Sequence, residues 1–404
     1  MASALPPVRP AIVALTQQLI ADRRHLHKYP ELPWQEHQTQ QYLLQRLQQL
    51  GLADVRPIAQ TGATALVQGA LPGRCVLWRA DIDALPIPEK SGLPFASRHD
   101  GVMHACGHDA HMAIALGIAA WAIAHRHQLP GAIRFVFQPA EEASGGAAAC
   151  ITDGVLEHPH VDVALGLHIS ADIPLGMINL APGPFFAAPT AFRIEITGRG
   201  GHAAAPHQAV DAVVVAAHLI TALQTIVSRS IPPNEQAVLT VGKVQAGFRG
   251  NVIAESATLS GTIRTYTAPL RDLILRRAEE IATGVCAAFG ATFQLTHETS
   301  CPPLVNDPAV TAQVLQHAQA YFGPGRIVGV PTMGAEDMSL FLEARPGCYF
   351  WLGARNEAIG IAGRHHDPGF VIDEAALPLG VEFAARIIQH FLQPEPPAPP
   401  TGAR

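Results

Sequence analysis

The chain has 404 residues, of which 48% are hydrophobic and 15% charged, and its formal net charge is −6. This length exceeds what one ordinary core needs and predicts two or three globular domains. A chain with a negative net charge and no basic block is not expected to bind nucleic acid.

The compartment can be inferred from the N-terminus, the apolar runs and the cysteines. Residues 1–10 lack the charged region, apolar stretch and cleavage site of a secretory signal. The longest apolar run, Met112 to Ala124, has 13 residues and is too short to cross a bilayer. Six cysteines stand without close pairing, which favours reduced thiols over a disulfide framework. We therefore expect a cytoplasmic protein that does not associate with membranes.

The first third of the chain predicts helices followed by buried strands. Residues 11–50 read as two helices, and Gly51 is a suitable stop for the second. Three apolar strands follow, at 74–80, 132–137 and 161–167. Near-continuous apolar strands separated by helices predict an α/β fold with a mostly parallel sheet covered by helices. In such sheets the binding site lies beyond the carboxyl ends of the strands.

The pattern changes near Pro184 and predicts a second, inserted domain. Its elements are strand 190–198, helix 208–228, strands 237–244 and 257–266, helix 269–289 and strand 291–297. This β-α-β-β-α-β order is the split ferredoxin-like motif. The α/β character then resumes. We therefore predict a discontinuous domain of residues 1–184 and 300–404, an inserted domain of residues 185–299, and a disordered proline-rich tail from residue 393 to 404.

The densest group of chemically active side chains lies between Met103 and His111. Cys106, three imidazoles and one carboxylate fall within nine residues, and these side chains bind zinc-like and manganese-like ions. Cys106 and His108 are two apart and project to the same side of an extended backbone. A buried structural thiol and surface histidines are the alternative interpretation.

Acidic residues and histidines also follow the three predicted strands. The adjacent Glu141 and Glu142 suit hydrolysis, because one can bind a metal ion while the other takes a proton from water. Alternatively, both occupy the first turn of a helix and offset its dipole. His168 alone, or Asp81 and Asp83 before a turn, would be weak signals. Their equivalent positions at strand ends favour a common site.

The inserted domain contains its own candidate residues. A glycine-rich turn at residues 198–207 presents His202 and His207, and glycines allow close approach of the backbone. Asn251 and Arg264 follow. Arginine is the usual partner of a substrate carboxylate through two parallel hydrogen bonds, although Arg264 could also be an ordinary exposed arginine of a sheet.

Taken together, these segments resemble the N-acyl-amino-acid amidohydrolases, which include hippurate hydrolases and plant indoleacetyl-amino-acid hydrolases. They form a branch of the dinuclear metallopeptidases that also contains carboxypeptidase G. The resemblance covers nearly the whole chain, and its motifs occur in the expected order. The matching segments are His25–Leu32, Arg79–Pro86, His104–Asp109, Gln138–Glu142, the His202 turn, Met333–Asp337 and Phe370–Glu374.

The resemblance implies two divalent metal ions, with manganese, zinc, cobalt and nickel as candidates. Cys106 would bridge them, and the remaining protein ligands would be His108, Glu142, His168 and His366. Glu141 would act as the general base. The inserted domain would serve as a lid or for dimerisation, and the protein would be a homodimer or a higher homo-oligomer. Its His202 would polarise the scissile carbonyl, from the same subunit or from its partner.

The resemblance also implies that Asn251 and Arg264 help to hold the substrate. One motif departs from the family pattern of leucine, histidine, any residue and proline. Here Arg364 and two histidines precede Asp367-Pro368. The offset from the proline selects His366 as the ligand, and His365 remains an alternative.

The sequence thus predicts a metal-dependent amidohydrolase that cleaves small N-acyl amino acids, such as hippurate-like or N-acetyl compounds. A metallo-carboxypeptidase or dipeptidase acting on unblocked peptides could share every ligand. A catalytically silent metal-binding protein is a third possibility, but the base and the ligands are all present, which speaks against it. A redox or nucleophilic role for Cys106 is disfavoured because no second cysteine lies nearby in the sequence.

Overall fold

The computed structural model describes residues 5–143 and 145–394. Residues 395–404, which include most of the tail predicted to be disordered, lie outside the described residues. The chain divides into two compact units. The larger unit runs to Gly183 and also includes Val305–Val330 and the chain from Leu340 onward; the smaller unit comprises Pro184–Leu304 and Pro331–Ser339.

The smaller unit includes one segment that the sequence analysis placed in the larger domain. The backbone N–H of Thr332 donates to the carbonyl of Phe185, and the N–H of Ala187 donates to the carbonyl of Gly334. These bonds pair residues 331–339 with the start of the smaller unit. Pairing between segments so distant in the chain leaves no local signal, so the sequence pattern did not indicate it.

The two helices predicted at 208–228 and 269–289 are confirmed, whereas the two helices predicted within residues 11–50 are three in the structure. They are α1 Pro10–Val13, α2 Thr16–Lys28, α3 His37–Gln49, α4 His108–His125, α5 Gly146–Thr152, α6 Ala212–Thr225, α7 Ala268–Phe289, α8 Pro308–Phe322, α9 Met338–Ala344 and α10 Ala376–Phe391. Asp211 caps α6 by accepting a hydrogen bond from the N–H of Val213, and Gly290 ends α7 in the left-handed conformation.

The strands are β1 Ala53–Ile58, β2 Gly62–Gln68, β3 Leu71–Asp81, β4 Pro130–Gln138, β5 Val163–Pro174, β6 Ile178–Asn179, β7 Gly183–Phe186, β8 Ala188–Thr197, β9 Gly201–His202, β10 Ala237–Ala246, β11 Val252–Ile253, β12 Ser256–Thr265, β13 Thr292–Thr299, β14 Leu304–Asn306, β15 Ile327–Val328 and β16 Gly347–Arg355. The sequence analysis did not single out β16, although Cys348–Leu352 is a continuous apolar run.

The larger unit is built on an eight-stranded sheet with the order β1-β2-β4-β3-β5-β16-β6-β15. Its four central strands, β4, β3, β5 and β16, are parallel. Antiparallel pairs flank them, because β1 pairs with β2, β2 with β4, and β16 with β6. The α/β class with helices packed on a large sheet is confirmed, and the parallel arrangement applies to its centre.

Helix α4 occupies the core of the larger unit and carries the site at its first turn. Nearly all its residues are buried, as expected of a helix that is apolar on all sides. Gly117 allows neighbouring elements to approach, since a Cβ there would lie 2.5 Å from Leu19 and 2.7 Å from Val381. These contacts come from α2 and α10, so both helices pack closely against the middle of α4.

The smaller unit has the predicted ferredoxin-like topology. Its sheet has the order β10-β12-β8-β13 with antiparallel neighbours, and α6 and α7 provide the two helices of the β-α-β-β-α-β order. Strand β8 alternates between buried and exposed residues, as a half-covered strand does. Ile194 and Leu259 of the sheet share a core with Leu219 and Ile274 of the helices.

Within the described residues, one helical stretch, Ala212–Ser230, is long and apolar enough to cross a membrane by length and composition alone. It is α6 together with the π-helical turn that follows. Val215, Leu219 and Leu223 of this stretch are buried in the core of the smaller unit. Packing against the sheet therefore accounts for much of its apolar character, and the match is weak evidence for a membrane span.

Candidate metal centre

Side chains from three central strands of the larger unit meet around Cys106. Asp81 is the last residue of β3, Glu142 follows β4, and His168 lies within β5. The carboxyl ends of parallel strands face the same edge of a sheet, which is why these residues converge. His168 is not at the end of its strand as predicted, because β5 continues beside β16 as far as Pro174.

A sharp turn positions Cys106 and His108. Gly107 has a φ of +89°, and a Cβ there would lie 2.3 Å from a side-chain carbon of Ile169, so this turn requires glycine. His108 is the first residue of α4. The extended backbone assumed for this pair is therefore wrong, yet the turn still brings the Cys106 sulphur and a ring nitrogen of His108 within 4.8 Å of each other.

One nitrogen of the His108 ring is hydrogen-bonded to the backbone, and the other has no hydrogen-bond partner among the described residues. Its Nδ1 lies 2.8 Å from the carbonyl oxygen of Asp83 and donates to it. Its Nε2 is buried and has no hydrogen-bond partner among the described residues. A buried ring nitrogen without a hydrogen-bond partner is costly in a finished core. In the neutral ring, Nε2 is well suited to bind a metal ion, because the hydrogen bond from Nδ1 to the Asp83 carbonyl fixes the tautomer.

His168 has the same arrangement. Its Nδ1 donates to the carbonyl of Ile169 at 2.6 Å, and its Nε2 lies 3.4 Å from the Cys106 sulphur. Both histidines therefore use Nδ1 for a backbone carbonyl, and Nε2 of His168 faces the thiol. Two imidazole nitrogens and one sulphur at this spacing form a donor set typical of zinc and similar transition-metal ions.

Glu142 and His366 lie on another side of Cys106. The Glu142 N–H donates to the Asp83 carboxylate at 2.9 Å, and the Glu142 carboxylate lies 3.1 Å from Nε2 of His366. His366 has a φ of +62°, and its N–H donates to the carbonyl of Ala105. This backbone link holds His366 next to the residue that precedes Cys106.

Glu141 and Glu142 lie in a turn after β4. Helix α5 begins only at Gly146, so the alternative that both acids occupy the first turn of a helix is wrong. Carboxylate oxygens of both lie within 4.8 Å of a ring nitrogen of His108. The turn thus directs both acids towards the same histidine.

Several groups of three potential ligands overlap in this region. In each, one ligand atom per residue lies within 4.8 Å of the others: Cys106 with His108 and His168; Cys106 with Glu142 and His366; His108 with Glu141 and Glu142; and Asp81 with His108 and His111. The first two groups share the Cys106 sulphur, which is the arrangement that two neighbouring ions would need.

The group containing His111 differs from the others because both ring nitrogens of His111 are used. Nδ1 donates to the Asp81 carboxylate, and Nε2 accepts the backbone N–H of Ile169 at 2.8 Å. Asp81 in turn accepts a hydrogen bond from the buried Arg79. His111 therefore links β3 to β5 and supports the segment that carries His168.

The electrostatics of the site favour a cation. Burial raises the pKa of the Cys106 thiol well above its usual range, and the Glu142 and Glu141 carboxylates raise it further. Burial alone would lower the pKa of His108, but Asp81 and Asp83 outweigh this effect and raise it to about 10. Without a metal ion, protons remain on sulphur and imidazole. A divalent cation can replace them, since metal ligands must be deprotonated.

The two histidines near the C-terminus have different environments. His366 belongs to a ligand group with Cys106 and Glu142, and half of its side chain is exposed. The Nδ1 of His365 lies 3.8 Å from the Cys106 sulphur, while its Nε2 accepts the N–H of Ala171 at 3.3 Å. The geometry thus favours His366 as the ligand, in agreement with the offset from Pro368.

The sequence analysis missed residues that support the site from behind. The buried Glu36 accepts the N–H of Ala140 at 2.9 Å, and Ala140 has a φ of +51°, so Glu36 holds the strained turn before Glu141. Asp109 accepts hydrogen bonds from Arg23 and His27 at the start of α4. Asp109 and His27 lie in segments that match the family, whereas Glu36 and Arg23 had no sequence signal.

In the smaller unit, His202 and Asn251 are neighbours. His202 of β9 pairs with Val252 of β11, and the N–H of Ala203 donates to the carbonyl of Asn251. Nδ1 of His202 accepts the N–H of Ala204 at 3.0 Å. The neutral ring therefore carries its proton on Nε2, which can donate to a ligand. His202 is exposed.

Arg264 lies on β12 of the smaller unit and is partly buried. Burial lowers the pKa of its guanidinium, and the nearby Cys301 only partly opposes this. Among the described residues, no carboxylate forms an ion pair with it. A partly desolvated guanidinium without an acidic partner can form two parallel hydrogen bonds with a ligand carboxylate.

Comparison with known proteins gives consistent matches over almost the whole chain. The model of peptidase family M20/M25/M40 matches residues 77–390. N-acetyl-L-cysteine deacetylase of Bacillus subtilis is 41% identical over 367 residues, 90% of this chain and 85% of that protein. Thermostable carboxypeptidase 1 of Saccharolobus solfataricus is 36% identical over 90% of this chain and 92% of its own length.

A solved structure also matches. It is the Bacillus subtilis YXEP protein, described as a dinuclear metal binding peptidase from the M20 family. The two chains share 33% identity with a TM-score of 0.81, and the match covers 94% of this chain and 99% of the other. By its sequence and its fold, this chain belongs to peptidase family M20/M25/M40.

Proposed function

We propose that this protein is a metal-dependent amidohydrolase that cleaves N-acyl amino acids to a carboxylic acid and a free amino acid. The observation that carries the proposal is the sharing of Cys106 by two groups of potential ligands in a buried, acidic site. The similarity to an N-acetyl-L-cysteine deacetylase supports the substrate class. Small acyl groups such as acetyl or benzoyl are the first candidates.

Two divalent ions fit the donor set of the larger unit. Cys106 would bind both, His108 and His168 would complete one side, and Glu142 and His366 the other. When bound, such ions lower the pKa of a water molecule towards ~7 and polarise a carbonyl oxygen. Sulphur and imidazole ligands favour zinc, cobalt or nickel over magnesium, and the carboxylates also accept manganese.

Glu141 is the proposed general base. Its carboxylate lies in the same turn as Glu142 and near His108, so it can reach a water molecule held beside these ligands. It takes a proton from the attacking water and later delivers it to the departing amine nitrogen, which balances the reaction. The turn before it is held by Glu36, which limits its freedom of orientation.

The smaller unit is proposed to act as a lid and dimerisation domain that supplies substrate contacts. His202, with its proton on Nε2, donates to the carbonyl oxygen as negative charge develops there. Arg264 binds the carboxylate of the amino acid, and Asn251 contributes its amide. We expect a homodimer, so light scattering after size exclusion should give about twice the chain mass of 42.9 kDa.

The alternative is a metallo-carboxypeptidase or dipeptidase acting on unblocked peptides. The similarity to a thermostable carboxypeptidase keeps this reading open. The metal ligands and the base would be the same in both cases, so only the substrate can separate the two functions.

A substrate panel on metal-analysed protein tests the proposal. Purified protein is reconstituted separately with manganese, zinc, cobalt and nickel, and each sample is assayed with N-acetyl amino acids, N-benzoyl amino acids and dipeptides. We expect two ions per chain, loss of activity with a chelator, and the highest kcat/KM for an N-acyl amino acid. A clear preference for dipeptides would instead support the alternative, and no hydrolysis of any amide with two ions bound would refute both.

A further inference from the structure

We propose that His365 is a positioning residue that donates a hydrogen bond from Nδ1 to the Cys106 sulphur and so sets the charge on the shared thiolate. The proposal rests on the proposed function, since it assumes that Cys106 binds metal. It concerns a position where this chain departs from the leucine of the family motif. Neither a ligand role nor simple packing accounts for the contacts of this ring.

The direction of the hydrogen bond follows from the other side of the ring. The N–H of Ala171 points at Nε2 of His365 at 3.3 Å. A backbone N–H can only donate, so this nitrogen must accept and carries no proton. The neutral ring therefore has its proton on Nδ1. That nitrogen faces the Cys106 sulphur at 3.8 Å.

The ring is held in this orientation by aromatic neighbours. Its centroid lies 5.2 Å from that of His168, 5.6 Å from that of Trp351 and 5.1 Å from that of Phe370. The first two contacts are close to edge-on, with interplanar angles of 76° and 71°. A flip of the His365 ring would replace Nε2 by a carbon and break the hydrogen bond from the Ala171 N–H. The observed orientation is therefore strongly preferred.

The neighbouring His366 makes the contrast clear. Its Nε2 faces the Glu142 carboxylate, and half of its side chain is exposed. His366 thus sits where a ligand is needed on the carboxylate side, whereas His365 has an acceptor nitrogen used by the backbone and a proton directed at sulphur. In this proposal, His366 binds a metal ion and His365 donates a hydrogen bond to the Cys106 sulphur.

A hydrogen bond to a thiolate withdraws electron density from sulphur. The thiolate then donates less charge to a bound ion, and the transfer of an electron from sulphur to the ion requires more energy. Outer hydrogen bonds of this kind commonly alter metal affinity by 10–100-fold. Leucine at this position would leave the sulphur without the donor.

The test uses the full-length protein loaded with cobalt(II), which gives a sulphur-to-cobalt charge-transfer band. In His365→Leu we expect this band to move to longer wavelength while two ions remain bound. In His365→Gln, whose amide can donate to sulphur and accept from Ala171, we expect the band to stay near its original position. The exposed His127 provides the control, and His127→Leu should leave the spectrum unchanged.

The outcomes separate this proposal from the proposed function. A band that does not move in His365→Leu would overturn the role of His365 and leave the metal site intact. Loss of one ion in both His365 variants would make His365 a ligand and also overturn it. Absence of any sulphur-to-cobalt band in the cobalt-loaded native protein would refute Cys106 as a ligand and hence the proposed function.

A measurement on the native chain covers the case in which the leucine variant fails to fold. Nitrogen-15 spectra of the histidine rings in the zinc-loaded protein distinguish the two neutral tautomers from a metal-bound ring. The His365 signals are assigned by their loss in His365→Gln. We expect the proton on Nδ1. A proton on Nε2, or a metal-bound Nδ1, would contradict the proposal.

Discussion

His108 and His168 in the larger unit each donate the Nδ1 N–H to a backbone carbonyl, which leaves Nε2 for another partner. His202 in the smaller unit does the reverse, since its Nδ1 accepts a backbone N–H and its Nε2 keeps the proton. In the neutral ring, the same side chain thus keeps a lone pair on Nε2 in one unit and an N–H on Nε2 in the other. The backbone group that contacts Nδ1, a carbonyl or an N–H, determines whether Nε2 of the neutral ring carries the proton.

The two units also differ in how firmly their polar side chains are held. Around Cys106, Asp81, His108 and His168 are buried, and the buried Arg23 and Glu36 lie behind the segments that carry the site. In the smaller unit, His202 is exposed and Arg264 has no ion-pair partner among the described residues. Changes to the buried side chains of the first region should affect metal binding or folding, whereas changes to Glu141 and to the smaller unit should affect catalysis with the metal content intact.

The largest effect is expected at Glu141. Glu141→Gln keeps the size of the side chain and removes the base, so kcat should fall by about 10²–10⁴-fold while two ions remain bound. Steady-state kinetics and metal analysis on the same sample measure both. Glu343→Gln, an exposed acid of the same unit, is the control. Retained turnover in Glu141→Gln would remove Glu141 from its role.

Stability should respond most strongly to Asp109 at the start of α4. The buried Asp109 carboxylate lies 2.7 Å from Nε of Arg23 and 2.8 Å from Nδ1 of His27. Asp109→Asn leaves the buried Arg23 with less compensation, so the free energy of unfolding should drop by about 3–5 kcal/mol. Denaturant melts measure this change. A loss below about 1 kcal/mol would contradict the importance of this pair.

The same pair predicts a pH dependence. Burial would raise the pKa of Asp109, but Arg23 and His27 outweigh it and hold the pKa far below its usual range. Its stabilising contribution is therefore complete above the pKa of the unfolded chain, about 3.9, and is lost as the pH falls towards the folded value. The stability difference between the native chain and Asp109→Asn should shrink as the pH falls below about 4; a constant difference would contradict this.

In the smaller unit, His202→Ala should lower kcat by about 10²–10³-fold, the usual cost of losing one donor to a developing oxyanion. Metal content and thermal stability should not change, because His202 is exposed and belongs to neither core. His207→Ala is a matched control, since His207 is an exposed histidine of the same loop. Equal losses in both variants would assign the effect to the loop and not to the donor.

The smallest effect is expected at Arg264. Arg264→Lys keeps the positive charge but loses the paired hydrogen bonds to a carboxylate, which should raise KM about tenfold, or ~1.4 kcal/mol. The effect should disappear with amide-capped substrates that lack the carboxylate. A similar change for capped and uncapped substrates would mean that Arg264 does not bind this group.

Much of the site could be predicted because it depends on local patterns. The apolar strands ending near Asp81 and Glu141 predicted their common edge, and the close spacing of Cys106 and His108 predicted their association. The left-handed conformation of Gly107, the use of both nitrogens of His111, and the contact of Glu36 with Ala140 could not be predicted. They depend on how α4, β5 and distant loops pack in three dimensions.

The two C-terminal histidines show the same limit. The offset from Pro368 indicated His366, and the structure places it beside Glu142. Nothing in the sequence indicated that His365 would lie between Cys106 and Ala171, because both contacts join residues more than 190 positions apart. The sequence pattern predicts which residues carry chemistry, and the packing determines which nitrogen of each ring is available.

X-ray absorption at the metal edge tests the central claim most directly, on the native protein loaded with zinc and compared with Cys106→Ser. The account predicts one sulphur neighbour at about 2.3 Å and a second metal at about 3.5–4 Å, with the sulphur signal lost in the variant. A spectrum without sulphur, or with a single isolated ion at full occupancy, would contradict it.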